Sequence, residues 1–130
     1  MTGNSVLLDT NIISALLMGD VNVADNIDAA KEAFIPIIVI GELHYGAQYS
    51  ANIQKNTNNI NKLIERYGIL KTDEQTAEVY GVLKASLRRK GKPIPENDIW
   101  IAAIAHQHGL TLVTRDKHFS EIDELKIIAW

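Results

Sequence analysis

The feature that constrains this chain most is a helical stretch, apolar on every side, that leads directly into a short apolar strand. Residues 99–105 (IWIAAIA) are nearly all apolar or small, and a helix of that composition is usually buried. Gly109 ends the stretch, and residues 110–113 (LTLV) are typical of a strand that is buried on both faces. Asp98 precedes this unit and Asp116 follows it, so two carboxylates flank a buried helix and strand.

Two further acids occupy comparable places in the sequence. Asp9 follows the apolar run of residues 5–8 (SVLL) and precedes a helical pattern, and Glu42 is the only acid within residues 37–47. Taken singly, each acid has a simpler interpretation, as a helix cap, a partner of the helix dipole, a turn residue or a surface residue. Ligand sites in open parallel sheets, however, form beyond the carboxyl ends of the strands. Taken together, four acids beside hydrophobic elements favour a divalent-cation site, because crowded carboxylates need a counter-charge.

The predicted elements alternate between strand and helix along the whole chain, with no linker and no internal repeat. That alternation predicts an α/β fold in which helices cover both faces of a parallel sheet. The length of 130 residues suits one ordinary domain, and a hydrophobic fraction of 46% is sufficient for a packed core.

Composition excludes several classes of protein. The absence of cysteine excludes disulfides and cysteine-ligated zinc, and agrees with a cytoplasmic location. The N-terminus lacks both the basic patch and the apolar core that a signal peptide needs. No window approaches the roughly 18 apolar residues of a membrane span. The formal net charge of −3 argues against a protein that holds RNA over a broad basic surface. It argues less against an enzyme that holds phosphate through a metal ion.

The acids lie within four short motifs, which are residues 9–11 (DTN), 41–43 (GEL), 97–103 (NDIWIAA) and 114–116 (TRD). In this order they resemble the four acidic motifs of PIN-domain ribonucleases, and the closest likeness is to the VapC toxins of bacterial type II toxin–antitoxin modules. The resemblance covers essentially the whole chain. It implies a single PIN domain over residues 1–130, with a three-layer α/β/α fold. The central parallel sheet is then expected to have four or five strands in the order 3-2-1-4-5.

The resemblance also implies an activity, that of a toxin that hydrolyses RNA as an endoribonuclease dependent on Mg2+ or Mn2+. Asp9, Asp98 and Asp116 are expected to hold the metal, and Glu42 is expected to orient or deprotonate the attacking water. Three polar residues are expected to hydrogen-bond the carboxylates or the waters on the metal: Asn11, Asn97 and Thr114. The partners implied are RNA, an antitoxin that occupies the acidic pocket, and a second copy of the chain.

Basic residues follow the helix that precedes Asp98. Thr72 and Gln75 predict a capping box at the start of this helix, which runs to about Lys90. Its end carries Arg88, Arg89 and, just beyond, Lys92. Cations are ordinary at the last turn of a helix, and a contact with RNA phosphates is the functional alternative.

The aromatic residues and the histidines give weaker signals. Tyr45 and Tyr49 are expected to be half-buried packing residues in preference to a surface for stacking substrate. The four histidines, at positions 44, 106, 108 and 118, are not expected to bind metal as a set.

Three other functions are compatible with parts of this pattern. A receiver domain needs two adjacent acids after its first strand, and a haloacid-dehalogenase-like phosphatase needs a second aspartate where this chain has Asn11. A non-catalytic PIN module that only binds RNA or protein is the main alternative, and the four intact acids argue against it.

Overall fold

Strand β1 (Ser5–Leu8) lies at the centre of a parallel sheet, flanked by β2 (Glu32–Pro36) on one side and β4 (Thr111–Val113) on the other. The computed structural model describes residues 4–130. Within them the sheet has five strands in the order β3-β2-β1-β4-β5, and the outer strands are β3 (Gly68–Leu70) and β5 (Ile127–Ile128). The prediction of a parallel sheet in the order 3-2-1-4-5 is therefore confirmed, with five strands.

Six α-helices and one short 3-10 helix connect these strands within the described residues. They are α1 (Thr10–Leu17), α2 (Val21–Ala29), α3 (Ile37–Gln48), α4 (Ile53–Arg66), α5 (Glu74–Arg89), α6 (Glu96–His108) and the 3-10 helix (Lys117–Glu121). The strand order reverses direction at β1, and parallel strands are joined by right-handed crossovers. Helices α1 to α4 therefore cover one face of the sheet while α5 and α6 cover the other, which gives the three α/β/α layers.

Helix α6 is the buried helix that the apolar sequence predicted. Ile99 and residues 101–105 are all buried. The helix begins at Glu96, and Pro95 is its N-cap. Gly109 ends the helix with φ 64°, a left-handed conformation that glycine adopts without steric cost. The chain then enters β4, whose Leu112 and Val113 are fully buried.

The predicted capping box of α5 needs correction. The capping box of α5 is formed by Asp73 and Thr76, one residue later than predicted. The backbone N–H of Thr76 donates to Asp73 Oδ1 at 3.0 Å, and the N–H of Asp73 donates to Thr76 Oγ1 at 2.9 Å. Thr72 and Gln75 have the right spacing, but the chain is still extended at Asp73. Strand β2 ends at Pro36, and α3 begins at the next residue, Ile37.

The register of β1 and β4 determines which residues meet at the edge of the sheet. Leu8 pairs with Val113, and the N–H of Asp9 donates to the Val113 carbonyl at 3.0 Å. Asp9 and Thr114 therefore leave the two strands side by side, at the carboxyl end where ligand sites form. None of the helices within residues 4–130 is long and apolar enough to cross a membrane.

A candidate metal centre

An open pocket of about 880 Å³ lies at the carboxyl ends of β1 and β4. All four predicted acids line it, although they come from four different parts of the chain. They are Asp9, Glu42, Asp98 and Asp116. The structure thus brings together the whole set that the sequence singled out, and their catalytic and metal-binding roles stay a prediction.

Asp9 is the most buried of these acids, with 4% of its surface exposed. Its Oδ1 accepts a hydrogen bond from the Thr10 N–H at 2.8 Å, so it caps α1, and its Oδ2 accepts one from the Thr114 hydroxyl at 2.7 Å. The Asn11 amide lies 3.4 Å from both Asp9 Oδ2 and Thr114 Oγ1. The carboxylate of Asp9 therefore both caps α1 and belongs to the acidic cluster.

Glu42 reaches the pocket from the middle of α3. The Thr10 hydroxyl donates to Glu42 Oε1 at 2.9 Å, which joins α1 to α3 and holds the carboxylate toward the pocket. Thr10 was not among the predicted polar partners of the acids. Asn97 was among those predicted partners. It lines the pocket from the first turn of α6, but it is exposed. Among residues 4–130 it makes no side-chain hydrogen bond to the carboxylates, so its role stays a prediction.

The ring of His118 lies among the acids, although the four histidines were not expected to bind metal as a set. Asp98 lies in the first turn of α6, Asp116 follows β4, and the ring of His118 contacts both carboxylates. The three side chains offer ligand atoms within 4.8 Å of one another, which is close enough to share one metal ion. Spacing along a helix could not reveal this contact, because a 3-10 helix after Asp116 turns His118 back to the pocket. The signal available in the sequence was its position two residues after that aspartate.

Burial and mutual repulsion raise the pKa of three of these carboxyls. Burial is the largest cause for Asp9, Glu42 and Asp98. Negative neighbours raise the pKa further in each case: Asp98 and Asp116 act on Asp9, Asp9 and Asp98 act on Glu42, and Asp116 acts on Asp98. Hydrogen bonds from Thr114, Thr10 and His118 oppose these shifts. A cation in the pocket would relieve the repulsion, so the electrostatics agree with a metal site.

The predicted phosphate-binding residues lie elsewhere. Of residues 4–130, those that line the acidic pocket do not include Arg88, Arg89 or Lys92. The pocket's arginine is instead Arg115, which the sequence analysis placed only within a motif. Its guanidinium is 2.9 Å from Asp20 Oδ2 and also donates to the Trp130 carbonyl at 2.9 Å, so its charge is already paired.

The expectation for Tyr45 of α3 and for Tyr49, the C-cap of that helix, was wrong. Tyr45 and Tyr49 are 68% and 80% exposed, and their ring centroids are 5.0 Å apart. Positions four residues apart on a helix face the same side, and here that side points to solvent. Tyr45 also lines a smaller cavity together with Glu42 and Asn97, so this tyrosine stands beside one of the four acids.

Comparison with known proteins decides the family. The model of the PIN domain matches residues 6–125. Ribonuclease VapC2 from Haemophilus influenzae is 34% identical over 128 residues, which cover 95% of this chain and 96% of that protein. This chain is a PIN domain of the VapC family. A second VapC relative, the tRNA(fMet)-specific endonuclease of Salmonella typhimurium, is 35% identical over 97 residues, or 74% of each chain.

Solved structures agree with this membership and with the fold. VapBC2 from Rickettsia felis, bound to a DNA fragment from its promoter, aligns to this PIN domain with a TM-score of 0.90 and 28% identity over 97% of this chain and 98% of that one. VapBC-1 from nontypeable Haemophilus influenzae aligns with the same TM-score, 31% identity and the same coverage. Both are structures of VapBC assemblies.

Proposed function

We propose that this protein is the toxin component of a type II toxin–antitoxin system and a divalent-metal-dependent endoribonuclease. The observation that carries the proposal is the meeting of Asp9, Glu42, Asp98 and Asp116 in one pocket of a VapC-family PIN domain. Relatives that cover most of this chain are named ribonucleases, and one is named a tRNA-specific endonuclease. The fold alone would not carry an activity, but a site of this chemistry on this fold does.

The donor set fits a hard divalent cation. Carboxylate oxygens are the ligands that Mg2+ and Mn2+ prefer, and the cluster has an uncompensated negative charge. Asp9, Asp98 and Asp116 would hold the ion. When bound, it would supply Lewis acidity at the phosphoryl oxygen and a lowered pKa of water. Thr114 and Asn11 would keep the carboxylate of Asp9 in place through their hydrogen bonds.

Glu42 is the group that would act on the nucleophile. It lies at the pocket wall, and its raised pKa makes it a better proton acceptor than an exposed glutamate. It would orient the water and take its proton as the new P–O bond forms. The bond from phosphorus to the 3′ oxygen then breaks, and that oxygen takes up a proton. Hydrolysis in this direction leaves a 5′-phosphate and a 3′-hydroxyl.

The partners follow from the same pocket. The solved VapBC relatives are toxin–antitoxin assemblies, and we infer that an antitoxin binds this chain with a segment in the acidic pocket. A basic side chain on that segment would complement the carboxylates. RNA as substrate, a homodimer and a cytoplasmic location complete the proposal.

The test uses antitoxin-free protein and a mixed pool of cellular RNA. The conditions are Mg2+ or Mn2+, excess EDTA, and the Asp98→Asn variant with metal. Asp25→Asn is the matched control, because Asp25 is an exposed acid of α2 that does not line the pocket. We expect cuts that leave 5′-phosphate ends, that disappear with EDTA and in Asp98→Asn, and that persist in Asp25→Asn.

Two results would count against the proposal. Cyclic phosphate ends would mean attack by the 2′-hydroxyl instead of water. No cleavage by folded, metal-loaded protein would favour the non-catalytic module that binds RNA or protein.

A further inference from the structure

The imidazole of His118 lies between two of the proposed metal-binding carboxylates. Its Nδ1 is 2.8 Å from Asp116 Oδ1, and its Nε2 contacts Asp98 Oδ2. The His118 side chain is 31% exposed and that of Asp98 only 15%, so the contact between these two is largely shielded from water, whereas the contact with Asp116 is more open. The ring thus uses both nitrogens on the acidic cluster and is not a solvent-facing neighbour of it.

The 3-10 helix holds the ring in this place. Phe119, the next residue, is fully buried and anchors the turn in the core. The Phe119 and His118 ring centroids are 5.2 Å apart. Because Phe119 points into the core, its neighbour His118 is directed to the pocket. The position of His118 therefore depends on core packing and does not require a bound ligand.

The two contacts make opposite demands on a neutral imidazole. Such a ring has one N–H donor and one lone pair. If Nδ1–H donates to Asp116, the lone pair of Nε2 faces an oxygen of Asp98, which is also an acceptor. Those two atoms repel each other unless a cation neutralises the contact, and that cation is either a proton on Nε2 or a divalent ion bound by both atoms. Metal-binding histidines commonly donate their second ring N–H to a carboxylate, which fixes the ring and its tautomer, and Asp116 is placed to be that carboxylate.

We propose that His118 Nε2 is a ligand of the divalent ion held by Asp98, with Asp116 Oδ1 accepting the Nδ1 proton. The inference rests on the proposed function, since it takes Asp98 to be a metal ligand. A nitrogen donor among the carboxylates changes which ion the site prefers. Mg2+ favours a shell of oxygens, whereas Mn2+ accepts imidazole more readily. The site is therefore expected to prefer Mn2+ to Mg2+, and His118 is the residue that creates the preference.

The decisive measurement is pulsed electron paramagnetic resonance of the full chain loaded with Mn2+. A directly bound imidazole gives a 14N coupling to the Mn2+ electron spin. We expect that coupling in the wild type and its loss in His118→Gln, whose amide can still reach Asp116 but offers no ring nitrogen. The matched control is His108→Gln. His108 is exposed and lies ten residues from Asp98 along α6, which is about 15 Å, so its coupling should equal that of the wild type.

Calorimetric titration supplies an independent readout. His118→Gln is expected to weaken Mn2+ binding about tenfold and Mg2+ binding by less than about twofold. Equal losses for both ions would mean that His118 only supports the fold of the site, and would overturn the inference.

The remaining outcomes separate this inference from the proposed function. Mn2+ bound at the Asp98 site without a 14N coupling would overturn the histidine ligand and leave the carboxylate metal site intact. A wild-type protein that binds no Mn2+ would overturn both.

Discussion

The Thr114 hydroxyl donates a 2.7 Å hydrogen bond to Asp9 Oδ2, although 105 positions separate the two residues. The contact exists because β1 and β4 are adjacent parallel strands whose ends are in register at Leu8 and Val113. The same hydroxyl oxygen accepts the Asp116 N–H at 3.0 Å. One buried side chain therefore connects two of the four acids.

Replacing this hydroxyl by a methyl group should affect both stability and metal binding. Thr114→Val leaves Asp9 Oδ2 with only the Asn11 amide at 3.4 Å and leaves the Asp116 N–H without its partner, and an unsatisfied buried polar group costs about 1–3 kcal/mol. We expect the free energy of unfolding to fall by that amount in denaturant titrations. Metal affinity should fall about tenfold, because the carboxylate loses the group that orients it. Thr111→Val is the control, since Thr111 is a buried threonine of β4 that does not line the pocket. An equal effect on metal affinity in both variants would contradict the prediction.

The stability of the metal-free protein should depend on the ionisation of Glu42. Burial and nearby negative charge raise the folded-state pKa of Glu42 above its ordinary value of 4.5. The folded state then holds the proton more tightly than the unfolded state does. This contribution to stability is complete below the ordinary value and is lost as pH rises through the raised one.

Glu42→Gln removes that loss, because glutamine does not ionise. Without metal, the variant should be more stable than the wild type at neutral pH, and the difference should vanish below about the ordinary glutamate pKa. Saturating Mg2+ should reduce or reverse the difference, since the ion stabilises the charged form. Thermal unfolding across pH tests this, with Glu65→Gln, an exposed acid of α4, as the control. A variant that is less stable than the wild type at neutral pH without metal would be the opposite result.

Two glycines should respond to alanine with opposite signs. A Cβ at Gly68 would lie 2.8 Å from the Phe34 ring, its partner across β2 and β3. Gly68→Ala should therefore cost about 1–3 kcal/mol through overpacking. A Cβ at Gly81, inside α5, meets nothing within 4 Å, so Gly81→Ala should stabilise by about 0.5–1 kcal/mol through helix propensity. Denaturant unfolding of both variants measures the change in the free energy of unfolding. A change of the same sign in both variants would show that the backbone has adjusted at one of the two positions.

The basic end of α5 gives a prediction about RNA affinity. Changing Arg88, Arg89 and Lys92 together to glutamine should lower the slope of log K against log salt by about 2 for single-stranded RNA, if all three neutralise phosphates. Binding is measured with Mg2+ in an Asp98→Asn background, which prevents cleavage. Lys90→Gln is the control, because Lys90 Nζ is already 3.0 Å from Asp123 Oδ1 and 2.7 Å from the Glu121 carbonyl. Unchanged affinity and salt dependence in the triple variant would assign these cations to helix capping alone.

The sequence by itself determined the order of the elements and the places of the acids. The apolar run of residues 99–105, the left-handed Gly109 and the short strand after it are local patterns, and the structure follows them. Asp9, Asp98 and Asp116 could be assigned to strand and helix ends for the same reason. Periodicity, capping and turn chemistry act over a few residues, so they can be read before the fold is known.

Only the tertiary structure decided which side chains meet these acids. The contact of Thr114 with Asp9 depends on strand register, and that of Thr10 with Glu42 depends on how α1 packs beside α3. The turn that carries His118 between Asp98 and Asp116 is held by a buried Phe119. These contacts join residues that are far apart in the chain, or depend on the direction of a single side chain in an irregular turn. No local pattern encodes either property, because both follow from how the whole core packs.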